Sequence, residues 1–307
     1  MSEYKVLFII GPTAVGKTAL SLSLAEDQGS EIVSADSRQV YKFMDIGTAK
    51  PSPEEMARVK HHFIDIRQPD QYYSAGEYGR EARAQIADLH NRGVVPIVVG
   101  GSGFYIQALV DGLFAPKISD PEIKQKWRDK VRDLGQDAVF NYLKQVDPVS
   151  ANRLHPNDTQ RIVRALEVYE LSGKPISDFK KGEETPADFN PVFIGLTRRR
   201  ETLYKRIEQR VESMIEAGLI DEVKGLRDRG WGTELNALKT VGYQEVYDFF
   251  AGELTFDEMV ERIKINSRRY AKRQLTWFRR DVRVHWLELD SVDHEQAKKA
   301  VMQIAKI

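Results

Sequence analysis

The 307-residue sequence contains no cysteine. That absence removes disulfides, thiolate zinc centres and cysteine nucleophiles together, and it suits a reducing cytoplasm. Long apolar runs are missing too: the longest near the N-terminus, Val6 to Ile10, is far short of a membrane span. No small-residue cleavage pattern follows it, so neither export nor membrane attachment is expected. There is no net charge, because 46 basic and 46 acidic side chains cancel. Repeats and low-complexity tracts are absent, and 41% hydrophobic with 30% charged residues is the composition of a folded globular protein. The lack of a heptad seam disfavours a coiled-coil dimer; a monomer without an obligate protein partner is the default. His61 and His62 have no third ligand at a suitable spacing, which argues against a histidine metal centre.

The neutral total conceals an uneven distribution. Between Arg262 and Arg283 stand nine basic residues against one acid, Asp281, a local charge of +8 that leaves −8 for the rest of the chain. Such a stretch suits a polyanionic partner.

Tyr4 to Ile10 reads as a strand, Gly11 to Thr18 as a turn and Ala19 to Glu26 as a helix. Further strands are expected at Glu31 to Ala35, His62 to Ile66 and Val94 to Val99, with a helix at Gly76 to Asn91. This alternation predicts an α/β fold, a P-loop doubly wound parallel sheet. After Phe114 the pattern turns helical, at Pro121 to Leu134, Gln136 to Gln145 and Thr159 to Ser172, the last capped by Asp158 and ended by Gly173. An inserted all-helical domain is therefore expected over residues 116–191, within a core made of 1–115 and 192–307. Val192 to Leu196 returns to the sheet. Three helical segments (Glu201 to Ala217, Leu219 to Arg229, Asp257 to Phe278), a strand at Val284 to Leu289 and a closing helix from His294 complete the reading.

Gly11-Pro12-Thr13-Ala14-Val15-Gly16-Lys17-Thr18 is a phosphate-binding loop in the context that confirms it, between a strand and a helix. Its glycines allow successive N–H groups to point inward, the helix start adds partial positive charge, Lys17 supplies a point charge, and Thr18 can place a hydroxyl on Mg2+. The motif does not specify a reaction. NTPases usually carry an aspartate at the end of an apolar strand, whereas Val94 to Val99 runs into Gly100-Gly101-Ser102.

Asp36, just past the second strand, lies at the carboxyl edge where open α/β sheets bind ligands. There it suits a general base, although a lone aspartate after a strand also suits a turn or a helix cap. Ser37, Arg38 and Gln39 add donors matching a purine edge. Ser102 offers another hydroxyl, compatible with a helix N-cap.

These blocks, together with Ala35 to Pro51 (ADSRQVYKFMDIGTAKP), Gly100 to Leu109 (GGSGFYIQAL), Asn157 to Val168 (NDTQRIVRALEV) and Lys272 to Arg280 (KRQLTWFRR), resemble the bacterial tRNA dimethylallyltransferases, or tRNA isopentenyltransferases. The likeness spans nearly the whole chain, in order. It implies transfer of a dimethylallyl group from dimethylallyl diphosphate to N6 of the adenine next to the anticodon, position 37 of tRNA. The P-loop, with Thr13 to Thr18 enclosing it, would then hold a leaving diphosphate instead of a nucleotide triphosphate, with Thr18 assisting magnesium. By the same resemblance Asp36 is the base, Ser102 bonds the same amino group and Arg210 contacts the diphosphate. Asp36 to Gln39, Ser102, Lys124 and the segment Gln160, Arg161, Ile162, Val163 and Arg164 correspond to tRNA contacts. Ser102 stands where threonine is more frequent, and Lys124 where arginine is common, which keeps charge but loses the planar fork.

The residues themselves leave alternatives open. Gln160, Arg161 and Arg164 share a helix face that suits RNA or plain solvent, while Ile162 and Val163 suit packing. The stretch ending in Gln274, Thr276, Trp277 and Phe278 mixes cations with aromatics, as strand-tracking surfaces do, yet Tyr270, Trp277 and Phe278 are more often core. Arg198 to Arg200 could face RNA, diphosphate or solvent. A P-loop small-molecule kinase would explain the first hundred residues, but neither the helical insertion nor the +8 stretch. A prenyl transferase acting on free adenine nucleotides, or a nucleotide-gated RNA-binding protein, would also use the motif.

Overall fold

In the computed structural model, which describes residues 4–112, 119–179 and 186–306, six strands form one all-parallel sheet. They are β1 (Lys5–Ile10), β2 (Ile32–Ala35), β3 (His61–His62), β4 (Ile97–Gly100), β5 (Asn190–Thr197) and β6 (Val284–Glu288), in the spatial order β3-β2-β4-β1-β5-β6. β1 is Lys-Val-Leu-Phe-Ile-Ile, buried from Val6 onward, the uninterrupted apolar pattern a strand needs when both sheet faces are covered.

The helices are α1 (Lys17–Gln28), α2 (Pro53–Arg58), α3 (Ala75–Asn91), α4 (Gly103–Val110), α5 (Pro121–Leu134), α6 (Gln136–Val146), α7 (Pro148–Arg153), α8 (Thr159–Ser172), α9 (Arg200–Glu216), α10 (Leu219–Asp228), α11 (Tyr243–Phe250), α12 (Phe256–Phe278) and α13 (His294–Ala305). Side-chain chemistry sets many of their ends. Ser74 with Glu77 and Thr255 with Glu258 form capping boxes that open α3 and α12. Asp158 accepts from the Arg161 N–H to open α8, which Gly173 ends with φ of 68°. Leu20 and Leu24 of α1 and Ala297 and Val301 of α13 join Leu7, Ile9, Ile97 and Ile194 of the sheet in one buried cluster.

The chain divides into two compact units, residues 1–111 with 186–307 and residues 112–185. The second has its own core, in which Trp127 of α5, Phe140 and Leu143 of α6, and Ile162 and Leu166 of α8 are buried together. The expected boundary at residue 115 lies outside the described residues.

Three expectations need correction. β3 covers only two residues, because Phe63 and Asp65 take left-handed φ of 64° and 56° and turn the chain out of the sheet. β4 begins at Ile97 instead of Val94, after a proline that has no N–H to donate to a ladder. Helices α2, α7 and α11 lie outside the expected elements; at six, six and eight residues each is too short for its period to stand out.

Candidate active site

Strand register brings the functional segments together. Gly100, the last residue of β4, pairs with Ile10 on one side and Ala35 on the other, so β1, β4 and β2 end at one level. The P-loop, Ser102 and Asp36 therefore leave the sheet side by side at its carboxyl edge. Crowding explains the glycines of Gly100-Gly101-Ser102-Gly103. A Cβ on Gly100 would collide with the Ala35 carbonyl, one on Gly101 with the Gln274 amide, and one on Gly103 with the Trp277 indole.

The P-loop backbone adopts left-handed φ at Ala14 (62°) and positive φ at Gly11 (146°) and Gly16 (117°). Lys17 folds back along it, its Nζ donating to the carbonyls of Gly11 at 3.0 Å and Pro12 at 2.9 Å. Burial brings Lys17 down to about 8; the Arg210 charge acts in the same direction and the Asp36 carboxylate opposes both. The outer side of the loop is braced by arginine. Arg198 Nε donates to Val15 O and Arg206 Nε to Ala14 O, both at 2.9 Å, while Arg198 also pairs with Asp290 at 2.6 Å. Of the Arg198 to Arg200 run, only Arg198 serves the loop: Arg199 faces Glu288 at 3.5 Å, and Arg200 lies 5.1 Å over the Tyr204 ring. The Thr18 side chain is exposed in the first turn of α1.

Asp36 shapes its own loop. Its Oδ1 accepts from the N–H groups of Arg38 (2.8 Å) and Gln39 (3.4 Å), an Asx turn that leaves Oδ2 open. Ser102 occupies the N-cap position of α4 but makes no capping bond; its Oγ instead accepts from the Ser37 N–H at 2.9 Å and donates to Ser37 Oγ at 3.2 Å. Its hydroxyl thus ties the β4 loop to the β2 loop. On α12, burial and the Asp36 charge push the Tyr270 phenol up to about 12. Arg210 is half-buried at this edge: desolvation lowers it, and the Asp36 charge favours its charged form. The purine-reading donors expected at Ser37 to Gln39 are largely used within the protein. The Gln39 amide donates to the carbonyls of Thr48 (3.3 Å) and Ala49 (3.0 Å), and Arg38 Nη1 donates to Asn236 O at 2.6 Å.

Two buttresses carry no local sequence signal. Glu222 of α10 accepts from the N–H groups of Asp45 (2.9 Å), Ile46 (2.7 Å) and Gly47 (3.2 Å) and from the Tyr243 hydroxyl (2.6 Å). It fixes the loop whose Thr48 carbonyl meets Gln39 and, at 3.5 Å, Arg210. Gln274, expected on a phosphate-tracking surface, is instead 7% exposed. Its Oε1 accepts from the Thr13 N–H and its Nε2 donates to Gly101 O, both at 2.9 Å.

The remaining basic residues sort by partner. In α12 and after it, Arg262, Lys264, Arg268 and Arg283 pair with Asp248, Glu212, Glu208 and Asp111, whereas Arg269, Lys272, Arg273, Arg279 and Arg280 make no ion pair among the described residues. The +8 stretch is thus partly neutralised by its neighbours. Phe278 is buried, as expected for core, but Trp277 is 38% exposed and meets Phe104 edge-on, which corrects its assignment to the core. In the helical unit, Gln160 is exposed, Arg161 pairs with Asp158, and Arg164 and Lys124 reach the buried Glu167 at 2.7 and 3.6 Å. Ile162 and Val163 are in that unit's core and offer an RNA no side-chain surface.

Known proteins match the chain along nearly its whole length. The family model described as IPP transferase matches residues 39–281. A tRNA dimethylallyltransferase of Geobacillus thermodenitrificans is 48% identical over 286 residues, 93% of this chain and 90% of that protein. The crystal structure of the full-length tRNA isopentenylpyrophosphate transferase from Bacillus halodurans is 41% identical, with a TM-score of 0.72 over 99% of this chain and 95% of that one. A eukaryotic dimethylallyltransferase solved acting on tRNA is 30% identical, with a TM-score of 0.82 over 97% of this chain and 78% of its own. A P-loop edge that lacks the strand-end acid of an NTPase, held in a chain matched by these proteins along nearly its whole length, leaves the kinase alternative without support: the chain belongs to the IPP transferase family of tRNA dimethylallyltransferases.

Proposed function

We propose that this chain transfers a dimethylallyl group from dimethylallyl diphosphate to N6 of the adenine adjoining the anticodon of tRNA, releasing diphosphate. The observation that carries the reading is the common level of the β1, β4 and β2 ends, which sets a phosphate cradle beside Asp36 with Lys17 and Arg210 in between. A displacement needs a leaving anion on one side and a proton acceptor on the other, held in line.

In this reading N6 attacks C1 of the allylic group as the C1–O bond breaks. The bonding pair leaves with the diphosphate, and the N6 proton passes to Asp36 Oδ2, the oxygen not engaged by the Arg38 and Gln39 N–H groups. The charge developing on the bridging oxygen is met by the P-loop N–H groups, Lys17 and Arg210. Ser102, already bonded to the Asp36 loop, holds the amino group's other hydrogen.

Magnesium fits this edge. No cluster of three or more acidic or histidine side chains that could cage a metal is found among the described residues, and Mg2+ typically keeps its waters and takes phosphate oxygens plus one or two protein ligands. The exposed Thr18 hydroxyl would be its protein ligand. When bound, the ion would neutralise diphosphate charge.

The RNA would lie on exposed cations that make no ion pair among the described residues, foremost Arg269, Lys272, Arg273, Arg279 and Arg280, with Gln160 and the Asp158-paired Arg161 of the helical unit as a second contact. No helix among the described residues is long and apolar enough to cross a membrane, and a cytoplasmic location follows from the tRNA substrate. The test is mass spectrometry of tRNA nucleosides after incubation with dimethylallyl diphosphate, run beside labelled ATP with tRNA and with AMP as alternative acceptor. A five-carbon gain on adenosine in tRNA is expected. Phosphoryl transfer from ATP, or prenylation of AMP alone, would displace the reading.

A further inference from the structure

The two halves of the reaction are held by different loops: the leaving diphosphate by the P-loop after β1, the accepting amine by Asp36 and Ser102 after β2 and β4. Something must keep their separation, because a displacement is sensitive to the distance between attacking and leaving atoms. The ladder fixes the strand ends but not the loops beyond them. Gln274 of α12 does span the gap: it touches Thr13 within the P-loop and Gly101 immediately before Ser102, and it is nearly solvent-free.

The orientation of this amide is forced. A backbone N–H can only donate and a carbonyl can only accept, so Oε1 faces Thr13 and Nε2 faces Gly101. Glycine at 101 is required for the contact, since a Cβ there would lie 2.1 Å from Nε2 and 3.3 Å from the Gly11 carbonyl oxygen. One turn before Gln274, Ala271 of the same helix is buried in the core cluster of the sheet. One turn after it, Phe278 is buried. The helix is therefore anchored on both sides of the bridge.

We propose that Gln274 is a positioning residue that sets the distance between the diphosphate cradle and the base. It touches neither substrate. This inference rests on the function proposed above, and its effect belongs to kcat: without the bridge both substrates still bind, but the reacting atoms no longer sit at attack distance. Misplacement on the ångström scale costs about 10²-fold in rate.

Two variants test it in the full-length protein, with dimethylallyl diphosphate and a transcribed tRNA bearing the target adenine. Gln274→Met keeps length and burial and removes both hydrogen bonds. Gln274→Glu, ionised, keeps the acceptor for Thr13 and loses the donor to Gly101. Both are expected to lower kcat by about 10- to 100-fold with the KM of each substrate within about threefold of wild type. Thermal melting identifies folded protein; should the Met variant not fold, the Glu variant carries the test. A folded variant with wild-type kcat, or one whose whole defect lies in KM, overturns the proposal. Failure of the wild-type protein to prenylate tRNA would instead overturn the function itself, so the two outcomes are distinct.

Discussion

Lys17 gives the most quantitative prediction. It is enclosed at the sheet edge with Arg210 nearby, and its ammonium falls from 10.5 to about 8, a difference of roughly 3 kcal/mol against the charged form. The free enzyme therefore loses this charge within an accessible pH range. The sign follows from the ligand: a diphosphate binds the protonated lysine, so kcat/KM for dimethylallyl diphosphate should be nearly level from about pH 6.5 to 7.5 and fall above about pH 8. With an apparent value of about 8, the protonated fraction drops about 25-fold between roughly pH 7.5 and pH 9.5. The diphosphate itself is no source of that limb, since its last ionisation lies near 6. The assay is initial rate at low dimethylallyl diphosphate and saturating tRNA, across pH, for wild type and Lys17→Met. The variant should be much slower and have no limb near 8. A wild-type profile level to pH 9.5, or the same limb surviving in Lys17→Met, would refute the assignment.

Two further outcomes follow from buttresses and surface charge. Glu222→Ala removes the acceptor for three N–H groups and the Tyr243 hydroxyl, and should cost about 3 kcal/mol in urea unfolding, together with a loss of kcat as the loop behind Arg210 loosens; a cost below about 1 kcal/mol contradicts it. Replacing Arg279 and Arg280 by Gln should weaken tRNA binding and reduce the slope of log affinity against log salt by about 1 to 2, with KM for dimethylallyl diphosphate unchanged; an unaltered salt slope would place the RNA elsewhere.

The parts of this molecule that sequence makes legible are those with local causes. Alternation of buried strands and capped helices gave the sheet and the helical unit, and Asp158 and Gly173 bound α8 as their chemistry requires. The P-loop and Asp36 were readable because phosphate cradles and strand-end carboxylates are set by a few adjacent residues. What was not readable depends on register and distance in space. Gln274 looked like part of an RNA surface because its neighbours are arginine and tryptophan; its contacts, Thr13 and Gly101, lie 261 and 173 residues away. Glu222 meets the Asp45 to Gly47 loop across 175 to 177 residues, again with no local trace. The same holds for Trp277, whose indole packs where a side chain on Gly103 would collide with it, 174 residues away in sequence. Charge counting also misled in part, since four of the nine basic residues in the +8 stretch find acids on other elements or loops.

In the proposed reaction Asp36 takes the N6 proton while the neighbouring P-loop holds the departing diphosphate. This assignment is tested most directly by single-turnover prenylation with Asp36→Ala, with tRNA affinity measured on the same protein. A rate lower by about 10²-fold or more with tRNA affinity nearly unchanged is the predicted result. A single-turnover rate equal to wild type would contradict it.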